Sequence, residues 1–174
     1  MINENVVLGG NIIGEFRDVI RHKDGRVEER PWNRNLIVND IIKVIACALK
    51  GDQGLKYWAV GQGLVGWDDV TPPAPAATDT QLVSEIARKQ IQAGDIQYVD
   101  VNGDPSTPVT NRILISITFD YADAIGSWRE FALVGGNATG TANSGVLINH
   151  KTHGLIVKTN TIAVERQIRF TFNN

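Results

Sequence analysis

The chain has 174 residues, with 17 Lys and Arg against 19 Asp and Glu, for a formal charge of −2. That balance argues against a protein that grips nucleic acid by neutralising phosphates, which calls for a basic excess. Hydrophobic residues at 43% and charged residues at 21% match an ordinary folded domain, and the single cysteine, Cys47, excludes a disulfide framework or a multi-cysteine zinc site.

Met1 to Gly10 carries polar residues early and no basic region ahead of an apolar core, so no secretory signal is expected. Apolar stretches stop well short of the roughly 18 residues of a membrane span, and no membrane contact is expected. Ile12 to His22 reads as a strand, Lys23-Asp24-Gly25 as a tight turn, and Arg26 to Trp32 as a charged returning strand. Pro31 would remove a ladder donor, which places this N-terminal β-hairpin at a sheet edge or projecting from the body. The expected division is an arm over residues 1–34, serving as an assembly contact, and a β-sandwich over residues 35–174.

Asn39 suits a helix N-cap, Ile41, Ile42, Ile45 and Leu49 share one helical face, and Gly51 suits the stop. The spacing predicts about three turns of helix packing an isoleucine stripe on a sheet. Lys56 to Gln62 alternates as a strand around Trp58 and Val60. From Gly63 to Thr80, Gly66, Pro72, Pro73 and Pro75 exclude a helix or central strand, and a loop of that length is commonly functional or in contact with a partner. Asp79 to Glu85 reads as a short helical turn and Ile86 to Gln92 as a strand. Further strands are expected around Ile96 and Tyr98, along Ile113 to Tyr121, over Trp128 to Val134, and over Val146 to Asn149 and Leu155 to Lys158. In the last segment Ile162, Val164, Ile168, Phe170 and Phe172 point one way, with Arg166 as the polar exception. The sum is a mainly β protein, an antiparallel β-sandwich with one α-helix.

Chemistry is sparse. Gly61-Gln62-Gly63 lacks the third glycine and following helix of a dinucleotide site. His150 and His153 point to opposite faces of a strand and are expected to be solvated or interface residues, not metal ligands. Asp100, Asn102 and Asp104 resemble the start of a calcium loop, but Asn111 stands where the bidentate Glu belongs, so a turn accounts for them. Asp68, Asp69 and Asp79 offer carboxylates with no sign of a shifted pair. Glu85 with Arg88, and Arg129 with Glu130, read as ion pairs or interface contacts. Cys47 lacks the electropositive setting of a nucleophile. No catalytic residue, cofactor or metal ligand is assigned. Trp58 and Trp128 are expected in the core, and Trp67 at a subunit contact. The candidate interface is Trp32, Trp67, Asp68, Asp69, Pro72 and Pro73; stacking of a sugar on Trp32 or Trp67 is the carbohydrate-binding alternative.

Several short elements, taken in order, carry a resemblance. Asn35-Leu36-Ile37-Val38-Asn39 leads into the helix, and Ala59-Val60-Gly61-Gln62-Gly63 ends a strand. Thr80-Gln81-Leu82-Val83-Ser84-Glu85-Ile86-Ala87-Arg88 follows the proline loop, and Arg129-Glu130-Phe131-Ala132-Leu133 lies in a later strand. This order, spanning Asn35 to Phe172, resembles structural proteins of tailed bacteriophages, of the tail, baseplate or fibre-attachment type. The resemblance implies a non-enzymatic virion protein, made in the host cytoplasm. It would assemble as a symmetric homo-oligomer such as a trimer and dock to other phage structural proteins, with neither nucleic acid nor membrane as a partner. A capsid decoration protein is the nearest alternative.

Overall fold

The computed structural model describes residues 11–173, so the expectation for Met1 to Gly10 lies outside the described residues. In chain order these form β1 (Asn11–His22), β2 (Val27–Glu29), β3 (Asn33–Ile37), α1 (Ile41–Lys50), β4 (Leu55–Gly61), β5 (Glu85–Gln90) and β6 (Ile96–Tyr98), followed by β7 (Arg112–Phe119), β8 (Gly126–Gly135), β9 (Val146–Leu147), β10 (Asn149–Lys158) and β11 (Ile162–Asn173). The fold is mainly β with one helix, as its period-two patterning predicts.

All pairings are antiparallel, and the strands run β5-β4-β8-β10-β3-β1-β11-β7-β6, with β2 beside β1 and β9 beside β8. The hinge of this order is β3. Its first part pairs with β1 at Asn33–Asn35, and its end pairs with β10 through Leu36 and Ile37. Hydrogen bonding is therefore continuous, and the expected sandwich is here one curled antiparallel sheet, a half-barrel. Its two halves meet through large side chains. The ring of Phe16 on β1 lies 5.0 Å from Phe131 on β8, and Phe119 on β7 stands edge-on to Trp128 at 5.1 Å. Trp58, Trp128, Phe131, Leu133, Val164 and Ile168 are fully buried there, each contributing about 1.5–3 kcal/mol if the side chain is large and apolar.

The N-terminal segment departs from its expected place. β1 pairs along its whole length with β11, from Asn11↔Asn173 to His22↔Ile162, and has β2 and β3 on its other side. It is an interior strand, not an edge, because Phe16, Val19 and Ile20 bury there. Pro31 falls in the gap between β2 and β3, where its missing N–H breaks no ladder.

The helix also differs. Asp40, not Asn39, occupies the N-cap and makes no side-chain cap bond, while Gly51 stops the helix at φ 92°. Only Val44 is buried; Ile42 and Leu49 are 68% and 84% exposed. The expected packing of the whole isoleucine stripe is not made. Between Asp79 and Glu85 no helical turn forms, and Leu82 instead inserts into the core beside Ala59 and Ala132.

Candidate functional site

The long loop between β4 and β5 is fastened by one carboxylate. Glu130, on β8, accepts the backbone N–H of Gly63 at 3.2 Å, where the loop begins, and those of Val83 at 3.0 Å and Ser84 at 2.8 Å, where it ends. His150, on neighbouring β10, donates Nε2–H to the same carboxylate at 3.0 Å and Nδ1–H to Asp79 of the loop at 2.7 Å. Asp79 in turn accepts the N–H of Ala76 at 2.9 Å. A ring flanked by two carboxylates is placed to donate from both nitrogens, an arrangement that favours the imidazolium form of His150.

Both central groups are inaccessible: Glu130 is 0% and His150 2% exposed. Burial pushes the His150 pKa down, but hydrogen bonds to Glu130 and Asp79 outweigh it and leave the pKa raised. Burial pushes Glu130 up, and the bonds from His150, Ser84 and Val83 more than reverse this. With its oxygens filled by four donors, Glu130 has no lone pair free for a substrate proton. What the array can do chemically is hold the loop.

Two further networks have the same character. Glu85 and Arg88 on β5 form a buried bidentate pair, and Arg88 also donates to the carbonyl of Thr139 at 2.7 Å while Glu85 accepts the N–H of Asn143 at 2.8 Å. This pair fastens the loop after β8. On the other half of the sheet, Arg166 of β11 is wholly buried and grips Asp18 of β1 at 2.6 and 2.9 Å. Arg166 lies over the Phe131 ring at 4.4 Å and the Trp128 ring at 5.4 Å. It also donates to His153 Nε2 at 3.1 Å, while His153 Nδ1–H donates to the carbonyl of Gly154 at 2.8 Å. Burial, then the Arg166 charge, push the His153 pKa down to about 3, so this ring is neutral. The polar exception in the inward face of β11 is thus one half of an ion pair.

Of the sequence-predicted interface residues, the loop gathers Trp67, Asp68, Asp69, Pro72 and Pro73 and leaves Trp32 apart. Trp67 is half-buried and lies against Gly63, whose φ of +69° and lack of a Cβ permit the contact. Asp68 accepts the N–H groups of Val70 at 2.8 Å and Thr71 at 2.7 Å, an Asx-type turn. Asp69 receives Arg129 at 3.0 Å, and its carbonyl accepts the N–H of Leu155 at 2.7 Å. Arg129 and Glu130 therefore pair with different partners and not with each other. Pro73 is exposed and Pro72 half-buried; Leu64, Val65 and Val70 stand in solvent. Trp32 carries the guanidinium groups of Arg17 and Arg169 over its ring at 5.0 and 4.4 Å, a position that a stacked sugar would need.

The histidines are the largest correction. Each is expected in solvent or at an interface; His150 is instead buried between Glu130 and Asp79, and His153 is half-buried and bonded by Arg166. The signal available was position: β10 and β8 are interior strands with both faces largely covered, where a polar side chain must find partners. Asp100, by contrast, caps the N–H groups of Asn102 and Asp104 at 2.8 and 2.9 Å, the turn that its residues suggest. Among the described residues no group of His, Cys, Asp and Glu is placed to hold a metal ion. Comparison with known protein families finds no matching family, and comparison with curated proteins finds no match.

Proposed function

We propose that this chain is a non-enzymatic structural protein of a tailed-phage virion, assembling in the tail, baseplate or fibre-attachment region through protein–protein contacts. The observation that carries the reading is the division of labour among its side chains. Three ionisable residues of the resembling elements, Glu85, Arg88 and Glu130, have buried side chains and are spent on fixing loops. Large apolar side chains, Leu64, Val65, Val70, Ile42 and Leu49, are left in water. A protein that spends buried charge on rigid loops and exposes apolar surface is built to meet a neighbour. The curled sheet, continuous through β3, serves as the scaffold, and the chain acts as a homo-oligomer such as a trimer.

Immunogold electron microscopy of purified particles with an antibody to this chain tests the assignment. Label on the tail or baseplate is the expected result. Label confined to the head would assign the decoration role instead, and absence from the particles would overturn the proposal.

A further inference from the structure

A cleft of about 450 Å3 opens between the proline loop and the sheet, bordered by Phe16, Arg30, Thr71, Pro72, Pro75 and Lys151. Its floor holds Asp18 and His153. Asp18 feels the Arg30 charge, which helps to hold its pKa down, but it makes no ion pair with either cation above. Asp18 is already gripped on both oxygens by Arg166, and His153 is neutral and accepts from the same guanidinium. Among the described residues no carboxylate lies within ion-pairing distance of Arg30 or Lys151. Both are partly buried, and Lys151 rests its ammonium over the Phe16 ring at 5.4 Å. Burial holds the Lys151 pKa below its ordinary value, as expected of a cation drawn from water without a counter-charge. Two cations with no carboxylate at ion-pairing distance, above an Asp18 already bonded on both oxygens by Arg166, give the cleft a net positive charge that an anionic ligand would complement.

We propose that this cleft receives the carboxylates of an acidic segment of a neighbouring protein chain, paired by Lys151 and Arg30. That the carboxylates belong to a protein rests on the assembly reading above. The lining favours a peptide over an acidic sugar. Its Phe16 ring is 6% exposed and covered by Lys151, leaving that ring no face for a sugar to stack on. Pro72 and Pro75 offer apolar wall to the methylene stems of acidic side chains.

Fluorescence anisotropy of a dye-labelled hexaglutamate peptide against the full chain at low salt tests this, with hexaglutamine as the neutral control. Hexaglutamate should bind and hexaglutamine should not. Lys151→Gln and Arg30→Gln should each weaken binding by about fivefold, the range of partly exposed ion pairs. Lys50→Gln, on the exposed end of α1, should leave it unchanged. Thermal melts of each variant show that the fold is retained. No binding of hexaglutamate to the wild type overturns the proposal, as does equal binding to both cleft variants. So does tighter binding of oligogalacturonate or inorganic phosphate that is lost in the same two variants. Oligomeric state, measured separately on the same variants, distinguishes the two claims: an oligomer without peptide binding removes the cleft proposal alone, and peptide binding by a strict monomer removes the assembly reading.

Discussion

Glu130 shows how much one side chain can organise. It accepts from four donors, and it ties residues 63 and 83 of one loop to a common point. Glu130→Gln keeps the shape but turns an amide toward N–H groups and leaves His150 short of a counter-charge. Removing one partner of a buried ion pair costs about 3–5 kcal/mol, and urea denaturation should find a loss in that range. His150, buried, and His153, half-buried at the cleft floor, predict opposite pH responses. The folded pKa of His150 is raised above its ordinary 6.5, so its contribution is complete below 6.5 and is lost as pH rises through the raised value. His153, at about 3, stays neutral while the unfolded chain takes up a proton below 6.5. Stability should therefore fall on acidification from 6.5 toward 3 by up to about 1.4 kcal/mol per pH unit. Denaturation across a pH series should show His153→Gln flattening the acid limb and His150→Gln flattening the alkaline one. Neither role was legible beforehand. The residues stand out in the sequence, but the partners lie 20 and 71 positions from His150 and 13 from His153, and spacing does not encode those approaches.

At the level of elements, patterning located the strands better than it located their neighbours. The alternation in β7 and β11 appears as written: Ile115, Ile117 and Phe119 bury on one, and Val164, Ile168 and Phe170 on the other. The end of α1 at Gly51 was legible because a left-handed C-cap favours glycine. The direction of its apolar face was not, since an isoleucine stripe reports what needs covering and not which chain covers it. The 62–84 loop tests the clamp at this scale. At Gly63 an added Cβ would enter the space of the Trp67 ring, and φ is +69°. Gly63→Ala should cost about 1–3 kcal/mol and make the loop the first site of cleavage in limited proteolysis, before global unfolding. Cleavage elsewhere at an unchanged loop rate would contradict the clamp.

The described residues form a curled sheet in which β1 is an interior strand, although Pro31, read in the sequence, places the N-terminal hairpin at a sheet edge or outside the body. The 12-residue ladder of β1 with β11 joins the two ends of the described chain, a pairing set by long-range register and by the Asp18–Arg166 pair, neither of which local sequence displays. On this scaffold the loop and the helix leave apolar side chains in solvent, and in the proposed assembly a neighbouring subunit covers them. Sedimentation velocity of the wild-type chain and of Ile42→Ser/Leu49→Ser, over a range of protein concentrations, addresses that claim most directly. Because both side chains are exposed, the double substitution should change the stability of a subunit by no more than about 1 kcal/mol, as denaturation can verify. The wild type should form a closed oligomer that dissociates in the variant. A wild-type chain that sediments as a monomer at every concentration, or an oligomer indifferent to the substitutions, would contradict it.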